Sequence, residues 1–227
     1  MSMKYEKFCK RLKEERTRAC LSQMELSGLL RMTQSHYSKV EKCKRRLSYY
    51  EIQYLCETEI DVYYVFTGKR RQQIEEDSFF LKSTVEELKS YLAMLCILYM
   101  SLSKANKLTL SDDDYKKIEN IQYALIPAKR GKTIFFKLRY GLNYDQRKMA
   151  ELMKVDKKKL RSMEYGRVMP DSELLCHAMD VFSIPYALFL NDKKGLICEI
   201  SYLLGLVEES KRKNVLEGMK LFHKTLC

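Results

Sequence analysis

Two stretches of the chain match each other without a gap when 123 is added to every position of the first stretch. The identical pairs include Arg16 with Arg139, Gln23 with Gln146, and Glu41 with Glu164. Apolar positions recur in the same register, as Leu26 and Met149 illustrate. A match sustained over one fixed period indicates a folding unit that is present twice. The 227 residues therefore predict two small related domains rather than one large domain.

The composition favours an all-α fold, because 8 glycines and 3 prolines are too few for the many turns of a β-sandwich. Within each copy, capping residues separate short apolar-periodic segments. Ser22 with Glu25 has the spacing of a capping box, and Thr33, Asp145 and Asp156 are predicted N-caps of further helices. The chain is thus predicted to contain helical units at 1–71 and 131–194, a helical linker or interaction segment at 72–130, and a C-terminal helical pair at 195–227.

The formal net charge of +12 is concentrated in the two copies. Residues 1–71 carry a net charge of +7 and residues 131–194 one of +5, whereas residues 72–130 carry −1 and residues 195–227 carry +1. A positive surface attracts polyanions, chiefly nucleic acid or an anionic membrane surface, although a solvated basic face that only aids solubility would also be charged. The association of charge with the repeat favours nucleic acid.

The central part of each copy carries the family resemblance. The segments SQMELSGLLRMTQSHYSKVEKCKRR and DQRKMAELMKVDKKKLRSMEYGRVMP resemble the helix-turn-helix of the Xre or lambda-repressor-like (Cro/cI-type) family. The resemblance implies two tandem lambda-repressor-like domains, each with an ion pair between Arg16 and Glu41 or between Arg139 and Glu164. The copies depart from the family pattern where Cys43 and Leu47 replace the loop glycine and proline, where Arg31 and Lys154 replace the turn glycine, and at Glu59.

The same resemblance implies that the third helix of each unit enters the major groove of double-stranded DNA while the second helix crosses the backbone. Carried over position by position, the residues expected to contact DNA in the first copy are Gln23, Thr33, Gln34, Ser35, His36, Ser38, Lys39, Lys44 and Arg45. In the second copy they are Gln146, Lys157, Lys158, Lys159, Arg161, Ser162 and Arg167. Lysine contacts both guanine and phosphate, so these residue types do not define a base sequence.

These features predict a sequence-specific transcriptional regulator, of the repressor type, that binds DNA as a cytoplasmic homodimer. The alternative is an antitoxin or a phage-type inhibitor that uses one or both units to bind a partner protein or RNA. The apolar C-terminal helices serve either as a dimer interface or as interdomain packing. We expect no enzyme, metal, cofactor or membrane segment, because the chain lacks a nucleophile–base pair, CxxC spacing and a membrane-length apolar run.

Overall fold

The structure is a computed structural model that describes residues 3–70, 77–105, 108–127 and 132–226, with the side chains of residues 77, 78 and 222–226 left out of the description. Within these ranges the chain forms α-helices joined by turns, without a β-strand. The predicted all-α class is therefore confirmed. The predicted unit boundaries at 71/72 and 130/131 lie outside the described residues.

The first copy consists of five helices: α1 (Met3–Arg18), α2 (Gln23–Leu29), α3 (Gln34–Glu41), α4 (Tyr49–Cys56) and α5 (Val62–Thr67). The predicted capping box is present, since the Ser22 side chain accepts from the backbone N–H of Glu25 and the Glu25 carboxylate accepts from the backbone N–H of Ser22. The Thr33 hydroxyl accepts from the backbone N–H of His36 at the start of α3. These contacts satisfy amide groups that have no partner within the first turn of a helix.

The rest of the described chain continues with α6 (Asp77–Phe80), α7 (Val85–Lys104) and α8 (Asp112–Leu125). The second copy contains α9 (Ile134–Gly141), α10 (Gln146–Met153), α11 (Lys157–Glu164), α12 (Ser172–Phe182) and α13 (Tyr186–Leu190). The chain ends with α14 (Lys193–Gly205) and α15 (Glu209–Leu226). The predicted N-caps of α10 and α11, Asp145 and Asp156, are confirmed, since their carboxylates accept from the backbone N–H groups of Lys148 and Lys159.

The backbone repeats with the same offset as the sequence. Helices α3 and α11 begin and end at positions 123 residues apart. Left-handed backbone, with φ between 53° and 74°, recurs at four matched pairs of positions: Cys20 with Asn143, Arg31 with Lys154, Cys43 with Gly166, and Gly68 with Asn191. The left-handed conformation that glycine favours is therefore adopted at Arg31, Cys43 and Lys154, where the pattern that the sequence resembles has glycine.

A glycine at position 154 is expected to relieve backbone strain. Lys154 ends α10 with φ 54° and ψ 41°, and its side chain is exposed. A side chain in this conformation costs roughly 1–2 kcal/mol, part of which is offset because glycine gives the unfolded chain more freedom. We expect Lys154→Gly to be more stable than Lys154→Ala by about 0.5–1 kcal/mol in urea unfolding. Equal stability of the two variants, or a more stable alanine variant, would contradict this account.

The two copies pack directly against each other. The backbone N–H of Leu47 donates to the Ser172 hydroxyl (3.0 Å), and the N–H of Ser172 donates to the Leu47 carbonyl oxygen (2.9 Å). The Phe66 ring of α5 stacks on the Tyr186 ring of α13, with centroids 4.5 Å apart and planes 12° apart. Helix α1 lies against α12, and the buried residues of both copies belong to one continuous hydrophobic core. The packing fixes one unit relative to the other.

The helices outside the copies pack on each other within the same chain. Helix α7 lies against both α8 and α14, and α8 also contacts α9. The Tyr99 hydroxyl of α7 donates to the carbonyl oxygen of Leu203 in α14, and Lys117 of α8 pairs with Glu199 of α14 (2.6 Å). Of the two roles predicted for the C-terminal helices, the contacts of α14 correspond to packing within the chain. The homodimer remains a prediction. None of the described helices has both the length and the apolar character needed to cross a bilayer.

Candidate nucleic-acid interface

Helices α3 and α11 each turn one apolar face inward and one polar face to solvent. Tyr37 and Val40 of α3 and Leu160 and Met163 of α11 are buried. Their spacing of three residues places each pair on one side of its helix. The expected DNA-contacting residues lie on the opposite side: Thr33, Gln34, Ser35, His36, Lys39, Lys157, Lys158, Lys159 and Arg161 are exposed, and Ser38 and Ser162 are half-buried.

The outward positions of the two helices correspond one to one at the offset of 123 residues. The matched pairs are Gln34 with Lys157, Ser35 with Lys158, His36 with Lys159, Ser38 with Arg161, and Lys39 with Ser162. The outward face of α3 therefore carries amide, hydroxyl and imidazole groups with one lysine, whereas that of α11 carries four cations. The two units present different chemistry from equivalent places.

The cations of α11 lack carboxylate partners in the part of the chain that the structure describes. None of Lys157, Lys158, Lys159 and Arg161 forms an ion pair there. The three lysines occupy the first turn of the helix, where the macrodipole disfavours each cation by roughly 0.3–1 kcal/mol. The helix thus concentrates positive charge where its own electrostatics oppose it, and an external anion would relieve that repulsion.

A buried ion pair anchors α3 to α1. The Arg16 guanidinium donates from Nε to Glu41 Oε1 (2.6 Å) and from Nη1 to the Leu21 carbonyl oxygen (2.6 Å). The Gln23 amide donates to Glu41 Oε2 (2.7 Å). The Glu41 side chain is only 3% exposed, so these donors compensate a carboxylate that has lost its water. The predicted structural ion pair is confirmed, and it fixes the end of α3 against α1 and α2.

The second copy repeats this arrangement. Arg139 donates through Nε to Glu164 Oε1 and through Nη1 to the Tyr144 carbonyl oxygen (3.2 Å). The Gln146 amide donates to Glu164 Oε2 (3.1 Å), and the Glu164 side chain is 1% exposed. This ion pair is also confirmed. Both outward-facing helices are therefore held by the same three-residue network.

The structure gives Gln23 and Gln146 a contact that the sequence interpretation missed. Both were expected to contact the DNA backbone, and in the structure each donates one amide hydrogen bond to the buried glutamate of its own copy. The sequence did carry a signal for this contact, because Arg, Gln and Glu are identical between the copies at all three positions of the ion-pair network. The second amide hydrogen of each glutamine remains available to a phosphate oxygen.

The loop after α3 contributes fewer unpaired cations than its sequence suggests. Arg45 donates to both carboxylate oxygens of Glu51 (2.7 and 3.2 Å), so its charge is compensated within the first copy. Arg46 pairs with Glu173 of the second copy (2.5 Å). Lys44 and its counterpart Arg167 are exposed, and Arg167 lies 5.7 Å from the centroid of the Tyr165 ring. Of the expected loop contacts, Lys44 and Arg167 are therefore better placed than Arg45.

The ionised Glu41 carboxylate is expected to stabilise the protein down to mildly acidic pH. Burial acts to raise the pKa of Glu41, but hydrogen bonds from Arg16 and Gln23 outweigh it and hold the pKa below its usual value. A carboxyl whose pKa falls on folding adds stability above its unfolded pKa, and this contribution disappears as the pH falls through the folded pKa. We therefore expect the difference in unfolding free energy between the wild type and Glu41→Gln to shrink from about pH 5 to about pH 3.

Urea unfolding at several pH values measures this difference. Other carboxyls with lowered pKa values, such as Glu51, contribute equally to both proteins and cancel in the comparison. A difference that stays constant or grows as the pH falls would contradict a lowered pKa at Glu41.

In the described ranges, no three His, Cys, Asp or Glu side chains are grouped so that they could hold a metal ion. Comparison of the chain with models of known protein families, with curated protein sequences and with solved structures gives no match.

Proposed function

We propose that the protein is a transcriptional regulator that binds double-stranded DNA, with α3 and α11 as the two helices that enter the major groove. The observation that carries the proposal is the matched pair of outward faces: two eight-residue helices, held by the same buried network, present their polar residues from equivalent positions. A short, rigidly anchored helix with a polar outer face has the size and chemistry that fit a major groove.

The charge of α11 supports DNA rather than an uncharged partner. The phosphates of a duplex would supply the counter-charge that Lys157, Lys158, Lys159 and Arg161 lack in the described chain. On α3, the Gln34 amide matches the donor and acceptor pattern of adenine. We therefore assign most of the backbone affinity to α11 and a larger share of base recognition to α3.

The experiment is selection of bound sequences from random DNA by the intact chain, followed by binding measurements on the selected duplex over a range of salt concentrations. A variant with Lys157, Lys158 and Lys159 all changed to Gln tests the role of α11. We expect its affinity to fall by at least about tenfold and its salt dependence, log K against log [salt], to flatten by about 0.9 for each phosphate that the variant no longer neutralises. Gln34→Ala should weaken the preference for the selected sequence.

A matched control removes the same charge elsewhere. Lys82, Lys104 and Lys213 are exposed lysines outside both copies, and their joint replacement by Gln should leave affinity within a few-fold of the wild type. Equal losses of affinity in the two triple variants would mean that only net charge attracts DNA. Failure to enrich any sequence, or tighter binding to RNA than to the duplex, would contradict the proposal and favour the alternative of an RNA or protein partner.

A further inference from the structure

A cavity of about 500 Å³ lies beside the second copy. Its walls come from α4, α7, α8, α9, α11 and α13 and from the segment that follows α11. The volume falls within the range of small-molecule sites in proteins, which is roughly 300–1,000 Å³. Nothing in the DNA-binding proposal uses this space, because the outward face of α11 lies on the other side of that helix from Met163, which contributes to the cavity wall.

Somewhat more than half of the cavity wall is apolar. The lining side chains that define it best are Ala93 of α7, Leu125 of α8, Phe135 of α9, Met163 of α11, and Leu188 and Phe189 of α13. Such a wall offers dispersion contacts and gains free energy when water leaves it. This part of the wall suits an apolar molecular body.

The charged groups of the cavity are unbalanced. Three lysines, Lys89, Lys132 and Lys137, line it together with a single carboxylate, Glu86. Lys89 pairs with Glu86 (2.7 Å), and the Lys132 ammonium lies 3.5 Å from the centroid of the Tyr165 ring. Lys137 is half-buried and has no ion-pair partner among the described residues. The polar part of the cavity therefore has an excess of positive charge.

The environment of Lys137 marks where an anion would bind. Partial burial lowers the pKa of the Lys137 ammonium and the nearby charge of Lys89 lowers it further, while the Glu86 carboxylate opposes both without outweighing them. The cation is therefore disfavoured, and a further carboxylate at this point would offset the remaining cost. A metal cation would be repelled by the same lysines.

We propose that this cavity binds an amphipathic carboxylate, whose apolar body packs against α7, α8, α9 and α13 while its carboxylate is held by Lys137 with support from Lys89. The partly open cavity combines apolar side chains with a few charged groups, as small-molecule sites do. The inference stands independently of the proposed DNA binding, because it concerns ligand affinity alone.

Titration calorimetry of the intact chain with decanoate, 2-naphthoate and decanol tests the class of ligand. We expect saturable binding of at least one carboxylate with one site per chain, and binding of decanol at least about tenfold weaker than that of decanoate, since decanol cannot form the buried charge-assisted hydrogen bond. Lys137→Met should weaken the binding of the carboxylate by about tenfold or more and remove the preference for acid over alcohol.

Two further variants separate ligand binding from folding. Ala93→Phe, which fills the cavity from α7, should abolish the binding of carboxylate and alcohol alike. Lys104→Met, the same substitution as Lys137→Met but at the exposed end of α7, should bind as the wild type does. Circular dichroism of each variant checks that the helices are retained. No saturable binding of either carboxylate, equal affinity for decanoate and decanol, or wild-type binding by a folded Lys137→Met variant would overturn the proposal.

Discussion

Replacing Glu164 with alanine is expected to destabilise the protein by about 3–5 kcal/mol. The substitution leaves the largely buried Arg139 guanidinium without its carboxylate and removes the acceptor of the Gln146 amide. A buried charge that has lost its partner keeps its desolvation penalty, and this is why breaking such a pair costs far more than the pair contributes. Because Glu164 ends α11, the substitution should also loosen the attachment of this helix to α9 and α10.

Urea unfolding followed by circular dichroism measures the change, with Glu151→Ala as the matched control. Glu151 pairs with Arg147 at 3.1 Å, but both side chains are more than half exposed. Exposed pairs of this kind contribute about 0–1 kcal/mol, so the control should unfold close to the wild type. Similar small decreases in stability in both variants would show that the Arg139–Glu164 pair does not anchor α11.

Replacing Phe66 with alanine is expected to destabilise both copies together, by about 3–5 kcal/mol. The Phe66 ring is buried, contacts Phe8 within its own copy and stacks on Tyr186 of the other copy. Truncation removes this apolar surface and leaves a cavity where the two units meet. Since one core runs through both copies, the wild type should unfold in a single cooperative transition.

Hydrogen exchange tests the coupling, because it reports each helix separately. We expect Phe66→Ala to speed exchange of the amides of α12 and α13 as well as those of α1 and α5. Tyr50→Ala is the control, as Tyr50 is an exposed aromatic residue in α4 at 62% exposure. Faster exchange confined to the first copy would mean that the units unfold independently.

The local structure of each copy follows closely from the sequence. Ser22, Thr33, Asp145 and Asp156 cap their helices as predicted, because a capping contact involves residues only two or three positions apart. The pair of Arg16 and Glu41 was also predicted, although its members are 25 positions apart. That prediction came from the family resemblance, and the repeat supplied a second instance of the same pair.

The contacts between the copies could not be predicted in the same way. The Leu47 and Ser172 hydrogen bonds and the pairing of Arg46 with Glu173 join positions more than 120 residues apart, and each occurs once, without a counterpart in the repeat. A periodic pattern indicates which face of a helix is buried but not which partner covers it. The compensation of Arg45 by Glu51 was missed for a related reason, since the basic loop was interpreted without the acid of the following helix.

At the candidate interface, sequence patterns distinguished inward from outward positions on α3 and α11. They did not show which cations have a carboxylate partner. Solvent exposure of Lys157 to Lys159 follows from the helical period, because Leu160 and Met163 define the buried side. The cavity beside α9 had no sequence signal, as its lining residues come from six separate helices and the segments between them.

The buried contact between the two copies also determines how binding would depend on the amount of protein. When two recognition units lie on separate chains that must first associate, the occupancy of DNA at low protein concentration rises with the square of that concentration. Here contacts among Leu47, Phe66, Ser172 and Tyr186 join the two units within one chain, so occupancy would rise with the first power of the concentration. The unlike faces of α3 and α11 would in addition give the bound chain a direction along the duplex. One chain, bound without a partner, could therefore distinguish the upstream side of its site from the downstream side.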